Sequence, residues 1–149
     1  MVSTLKVRGE TAIQVNKRFL KLLHSRKKII YFIRCDKPLQ YDYRRKSRIG
    51  YIGRTDRPDT RPFESLRNHA EELLKIHGVR HIELVWIEGT PIRHVDVLDK
   101  LEKAFLHEFR NWFGQLPKAN TAGNVRLELT DEGDYASLRR VRDIIQELS

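Results

Sequence analysis

The spacing of apolar residues along the chain predicts four helices separated by short strands. Residues 95–113 have the strongest helical pattern, with apolar side chains at Leu98, Leu101, Phe105, Phe109, Trp112 and Phe113 and a stop at Gly114. Weaker helical patterns cover residues 11–25, 59–76 and 135–148. Strands are predicted for residues 29–34, 49–54 and 81–87, and residues 125–129 are a further strand candidate.

These elements predict an α/β chain of the α+β type. The expected core is a small three-stranded antiparallel sheet flanked by helices, because the first two strands follow each other as a hairpin with a long polar loop. The third strand is apolar on both sides, which favours a central or well-covered position. We expect a single domain over 1–149, with a core at 28–123 and helical additions at 1–27 and 124–149.

Composition narrows the class of protein. A chain of 149 residues buries enough surface to fold without disulfides or a structural metal. Cys35 is its only cysteine, so intramolecular disulfides and thiolate zinc clusters are excluded. Neither an apolar run of the ~20 residues that span a bilayer nor a secretion signal is seen. We therefore expect a cytoplasmic protein without a membrane partner.

The charge balance indicates a polyanionic partner. The chain has 29 Lys and Arg against 20 Asp and Glu, a net charge of +9 and a pI near 9.9, and a basic folded domain attracts nucleic acid. The densest basic segment is Arg44-Arg45-Lys46-Ser47-Arg48, next to Tyr41 and Tyr43. It is interpreted either as a solvated loop tip or as a cationic and aromatic contact for nucleic acid at the mouth of a cleft.

Two tyrosines on neighbouring strands are the first candidates for chemistry. Tyr51-Ile52-Gly53 follows Tyr31 by twenty residues, and a glycine there would let a phosphate approach the backbone closely. With a carboxylate from Glu102 or Glu108, the two phenols could form a phosphodiester-cutting site. The alternative is that both tyrosines only pack a small sheet.

The order of these elements and motifs resembles the GIY-YIG endonuclease family over residues 28–123. Its first motif is similar to Ile29-Ile30-Tyr31, with the usual glycine replaced, and its second is intact as Tyr51-Ile52-Gly53, followed by Arg54-Thr55. The segment around Arg67 and His69 resembles the family's arginine and histidine helix, and Glu102 with Phe105-Leu106 resembles its metal-binding helix. The segment Pro117-Lys118-Ala119-Asn120 is similar to its closing motif.

The resemblance implies hydrolysis of a phosphodiester with one divalent metal. Tyr31 and Tyr51 would take or relay the proton of the attacking water, and Glu102 would hold Mg²⁺ or Mn²⁺ while waters and phosphate oxygens complete the coordination. An arginine would stabilise the charge that develops on the phosphate. His69 and Asn120 complete the implied catalytic set, and Arg54, Arg67 and Lys118 join the basic segment as candidate nucleic-acid contacts.

Two positions stay open. Ser65 stands one turn before His69, where the family pattern has arginine, so the catalytic arginine is either Arg61 or Arg67. Arg61 is favoured because Arg67 and His69 lie about 160° apart on a helical wheel. Glu102 is favoured over Glu108 as the metal ligand because it borders the buried stripe, where a carboxylate without a metal would be poorly placed.

The resulting expectation is a small metal-dependent endonuclease that cuts DNA, of the restriction, repair or mobile-element kind. The main alternative is a nucleic-acid-binding module that keeps the fold without cutting, and a basic scaffold protein is a third. The expected partner is double-stranded DNA, although the residues do not separate DNA from RNA. A symmetric target would call for a homodimer, for which the terminal helices at 11–25 and 135–148 are candidate contacts.

Overall fold

The computed structural model describes residues 2–8, 29–55, 61–87, 95–120 and 135–149. Four strands lie in these ranges: β1 (Val2–Arg8), β2 (Ile29–Gln40), β3 (Lys46–Thr55) and β4 (His81–Ile87). Three helices accompany them: α1 (Arg61–Leu74), α2 (Val95–Phe113) and α3 (Tyr135–Leu148). The α+β class and the antiparallel sheet are confirmed, and the predicted bounds of β4, α2 and α3 match those observed.

The strands form one antiparallel sheet in the order β1-β4-β2-β3. The three predicted strands are its β3-β2-β4 part, and β4 is an inner strand, as its two-sided apolar pattern indicated. The added strand β1 pairs with β4 from Val2↔Ile87 to Arg8↔His81. The sequence analysis missed β1, although Leu5 and Val7 alternate with Lys6 and Arg8 as in a half-buried strand. Its sheet partner β4 is distant in sequence.

The hairpin of β2 and β3 is longer and its loop shorter than predicted. The strands run to Gln40 and from Lys46, and Gln40 pairs with Lys46. Lys46 and Arg48 of the basic segment are therefore strand residues, and only residues 41–45 form the loop. The register also shifts between Ile33 and Arg34, because Gly50 is an extra residue on β3.

Helices cover both faces of the sheet. Helix α1 lies on one face, where Leu73 packs against Gly50 so closely that a Cβ on Gly50 would meet the leucine Cδ2 at 2.6 Å. Helix α2 lies on the other face, where Phe105 makes an edge contact with Phe32 at 5.2 Å between ring centroids. The core therefore consists of two layers with β2 between them.

Helix α3 is part of this core. Val141, Ile144, Ile145 and Leu148 are buried, and the Leu148 carbonyl accepts a hydrogen bond from Arg34 Nε of β2 at 2.7 Å. The helix at 135–148, a candidate dimer contact, thus packs its apolar face within the chain. The other predicted terminal elements, the helix at 11–25 and the strand at 125–129, lie outside the described residues. Of the helices described, none has both the length and the apolar character needed to cross a membrane.

Candidate active site

Tyr31, Tyr51 and Gly53 form one compact group on the face of the sheet that α1 covers. Tyr31 pairs across the hairpin with Gly53, and the two tyrosine rings lie 5.9 Å apart at 41°. Tyr31 is only 3% exposed, whereas Tyr51 is partly exposed. The sequence analysis was therefore right to pair these residues in space.

The reason for glycine at position 53 differs from the one expected. A Cβ on Gly53 would stand 2.6 Å from Tyr31 Cζ, 2.7 Å from its hydroxyl oxygen and 2.7 Å from Tyr51 Cε1. The space over Gly53 is thus filled by the two tyrosines, which leaves no room there for a phosphate. Gly53 is needed because any side chain would displace both rings.

His69 of α1 extends this group. Its imidazole stacks on the Tyr51 ring with 4.0 Å between centroids and 22° between planes. Burial lowers the pKa of His69 from its ordinary value, and Glu72, with Oε2 at 3.8 Å from Nδ1, acts in the opposite direction. Burial therefore favours the neutral imidazole, which carries one nitrogen that can accept a proton.

Asn120 braces the strand that carries Tyr51. Its Oδ1 accepts a hydrogen bond from the Ile52 N–H and its Nδ2 donates to the Ile52 carbonyl, both at 2.9 Å. The neighbouring Ala119 N–H donates to the Gly50 carbonyl at 2.9 Å. The segment 117–120 therefore covers the outer edge of β3, and Asn120, predicted as catalytic, is a positioning residue because its amide is bonded to backbone.

Glu102 and Arg54 form an ion pair next to the tyrosines. Arg54 follows Gly53 on β3, and its Nε lies 3.6 Å from Glu102 Oε1. Side chains alternate along a strand, so Arg54 points to the face covered by α2, whereas Tyr51 and Gly53 belong to the α1 face. The phenols and the carboxylate thus meet near the same end of the edge strand, but from opposite faces of the sheet.

Glu108 has a different role from Glu102. It is 7% exposed, and Arg142 Nε of α3 donates to its Oε2 at 2.7 Å, with a second contact from Nη2 to Oε1 at 3.4 Å. This pair joins α3 to α2, which leaves Glu102 as the better placed carboxylate for a site.

The choice between Arg61 and Arg67 stays a prediction. Both residues lie in α1, and Arg61 is the first residue of that helix. Their side chains are outside the part of the chain that the structure describes.

The basic segment lies at the far end of the hairpin from Tyr31 and Tyr51. Lys46 and Gly53 are seven residues apart on β3, which corresponds to roughly 23 Å at about 3.3 Å per residue. The expected position at the mouth of the tyrosine cleft was therefore wrong. The reason is that strand pairing continues to Gln40 and Lys46, so the charges extend away from the site.

The cations predicted to bind nucleic acid have different surroundings. Arg44, Arg45 and Lys46 are exposed, whereas Arg48 Nε donates to the Cys35 carbonyl at 2.9 Å and helps hold β2 to β3. Lys118 is exposed, and its Nζ lies 5.0 Å from the centroid of the Tyr41 ring. Three cations at the tip and Lys118 are thus free to meet a phosphate, and Arg48 is structural.

The donor set decides what kind of metal site could exist. In the described ranges, no group of three or more His, Cys, Asp or Glu side chains could hold a metal ion. Cys35 is buried, and burial raises the pKa of its thiol to about 12. A single partly exposed carboxylate, Glu102, fits a hard cation that keeps most of its waters.

Comparison of the chain with protein-family models, with curated proteins and with solved structures gives no match. The resemblance to the GIY-YIG family therefore depends on the motifs themselves.

One residue of the predicted apolar stripe of α2 lies in a different environment from the one expected. Trp112 was counted in the apolar stripe of α2, yet it is 44% exposed, with the Arg45 guanidinium carbon 4.2 Å from its ring centroid. Trp112 lies in the last turn of α2, two residues before Gly114. This position was the signal for its exposure, because side chains at a helix end can extend beyond the core.

Proposed function

We propose that the protein is a divalent-metal-dependent endonuclease that hydrolyses phosphodiester bonds in double-stranded DNA. The observation that carries the proposal is the contiguous group of Tyr31, Tyr51 and His69, with the Arg54–Glu102 pair one residue further along β3. The net charge of +9 and the family resemblance support nucleic acid as the substrate. With its single buried cysteine, the protein is proposed to work in the cytoplasm.

Proton transfer is assigned to the face covered by α1. A phenol is a weak base on its own, but Tyr51 is partly exposed and its ring stacks on a neutral imidazole. Tyr51 contacts the attacking water, Tyr31 holds the Tyr51 ring in place from the buried side, and His69 is the nearby group that can accept a proton at neutral pH.

Charge stabilisation is assigned to the other face. Glu102 would hold Mg²⁺ or Mn²⁺, which when bound supplies Lewis-acid stabilisation of the phosphate oxygens. Arg54 neutralises Glu102 in the free protein and contacts the phosphate when the site is loaded. Because β3 is an edge strand, a phosphate at its outer edge beyond Ile52, the residue that Asn120 holds, can meet side chains from both faces.

A second candidate function is a nucleic-acid-binding module that does not cut. It is favoured by two observations: Tyr31 is almost fully buried, and Glu102 already has a cationic partner in Arg54. This candidate predicts DNA binding without metal-dependent cleavage.

One assay separates the two functions. Plasmid is incubated with the protein and Mg²⁺ or Mn²⁺, and nicked and linear products are followed for the wild type, Glu102→Gln and Tyr51→Phe. Both variants are expected to lose about 100-fold or more in rate with DNA affinity nearly unchanged. Glu71→Gln, an exposed acid on α1, is the charge-matched control. Cleavage that survives both substitutions would refute the assigned site, and binding without cleavage by the wild type would favour the second candidate.

A further inference from the structure

The tip of the β2–β3 hairpin has an unusual backbone. Tyr43 and Arg44 both have positive φ, at 56° and 54°, in a turn where the Arg45 N–H donates to the Asp42 carbonyl at 3.3 Å. Turns with two left-handed residues favour Asn-Gly, because glycine and asparagine adopt this conformation at little cost. A tyrosine and an arginine are therefore kept here against the local preference of the backbone.

Packing against α2 holds this turn in place. Gly114, which ends α2 with a φ of 78°, lies so close that a Cβ on it would meet Asp42 Cβ at 2.7 Å and Tyr43 Cε2 at 3.0 Å. Despite this contact Tyr43 remains 69% exposed. The turn thus presents a large aromatic ring to solvent in a fixed orientation.

A second aromatic ring and several cations share this end of the molecule. Trp112, from the last turn of α2, is 44% exposed, with Arg45 over its ring at 4.2 Å. Arg44, Lys46 and Arg110 are exposed, and Asp42 is the one acidic residue of the segment 41–48. We call Tyr43, Trp112, Arg44, Arg45, Lys46 and Arg110 the tip surface.

We propose that the tip surface binds unpaired nucleotides of a nucleic-acid strand, with bases stacked on Tyr43 and Trp112 and phosphates next to the cations. Exposed rings interleaved with arginines are what single-strand binding requires, since every base offers a flat face and every linkage a negative charge. Lys46, the tip-surface residue on β3, lies five residues from Tyr51, which corresponds to roughly 16 Å at about 3.3 Å per residue. This proposal rests on the proposed function only in taking nucleic acid as the partner. It adds a second contact with the substrate, away from the site at Tyr51.

The turn provides a sharp test, because strain and binding have opposite responses to one substitution. Tyr43→Gly relieves the positive φ and is expected to raise the urea midpoint of unfolding. The same variant is expected to bind oligothymidylate about tenfold more weakly, because a stacking platform is lost. Tyr43→Phe keeps the ring and is expected to bind like the wild type.

Binding is measured by fluorescence anisotropy in EDTA, so that a failure of cleavage does not affect the result. A blunt duplex and heparin serve as comparison ligands, and neither is expected to distinguish Tyr43→Gly from the wild type. The double variant Arg44→Gln/Arg45→Gln is expected to reduce the salt slope for oligothymidylate by about 1.4, at about 0.7 per phosphate contact. The charge-matched control Arg139→Gln/Arg140→Gln, on exposed positions of α3, should leave the slope unchanged.

Three results would overturn the proposal: unchanged oligothymidylate affinity in Tyr43→Gly, an equal loss toward heparin, or an equal loss toward duplex DNA. The second would mean a general polyanion surface, and the third a duplex contact. A plasmid-cleavage assay run in parallel reports separately on the Tyr51 site, so the two proposals can fail independently.

Discussion

Replacing Gly53 with alanine tests the packing on which the candidate site depends. The added Cβ would lie 2.6–2.7 Å from atoms of Tyr31 and Tyr51, whereas non-bonded carbon atoms prefer about 3.5–4.0 Å. The rings must therefore move by about 1 Å. Tyr31 is 3% exposed and cannot move outward without opening the sheet.

The magnitude follows from two opposing effects. Overpacking a filled interior costs about 1–3 kcal/mol, and replacing a strand glycine recovers about 0.5–1 kcal/mol of backbone entropy. Taking the middle of each range, the net loss is about 1 kcal/mol in the free energy of unfolding. With an m-value of about 2 kcal/mol per molar, the urea midpoint falls by about 0.5 M.

A double-mutant cycle identifies the cause. If the Tyr31 ring is the main obstacle, Gly53→Ala should cost much less in a Tyr31→Leu background, with a coupling of about 1 kcal/mol or more. The rate of plasmid cleavage should fall in Gly53→Ala, because the Tyr51 ring is displaced as well. A Gly53→Ala protein as stable as the wild type, or a cost that is the same in both backgrounds, would refute this account.

Three further predictions concern the surroundings of the site. Asn120→Asp removes the donor to the Ile52 carbonyl and should lower the free energy of unfolding by about 2 kcal/mol at pH 7. Part of this loss should be recovered near pH 4, because the protonated carboxyl can donate again. Urea titrations at both pH values check this, and a pH-independent loss equal to that of Asn120→Ala would count against it. Burial lowers the folded-state pKa of His69, so its contribution to stability is present above the unfolded pKa of about 6.5 and is lost as pH falls through the lower folded value. His69→Gln should therefore flatten the decline in urea midpoint as pH falls below about 6.5, and an unaltered decline would show that other groups cause it. Arg142→Gln should destabilise the protein more than the double variant Glu108→Gln/Arg142→Gln, because the single change leaves the buried Glu108 carboxylate without its partner. Thermal melts that give the double variant the lower melting temperature would contradict this.

Most of the described fold could be predicted from the sequence because its elements are marked locally. Helix α2 shows repeated apolar positions and ends at Gly114, and β4 has apolar residues on both sides of a short strand. Such periodicities depend only on neighbours within a few residues. Strand β1 has only a short form of this signal, in Leu5-Lys6-Val7-Arg8, and its place in the sheet depends on pairing with a strand that is distant in sequence.

The candidate site was predictable in part. The pairing of Tyr31 with Tyr51 followed from the hairpin. The preference for Glu102 over Glu108 stays a prediction, since each carboxylate has an arginine partner. The packing reason for Gly53 did not follow, because it depends on where two ring planes come to rest. The position of the basic segment was not predicted, because its charges do not show how far β2 and β3 continue to pair.

The sequence by itself determined the element types, the net charge and the set of residues that could carry chemistry, since these depend on residue identity and local periodicity. Only the tertiary structure decided that Asn120 holds the Ile52 backbone, that Glu102 meets Arg54, and that Tyr43 and Trp112 share an exposed surface. These relations join residues far apart along the chain. They arise from strand register and helix docking, which a short window of sequence does not contain.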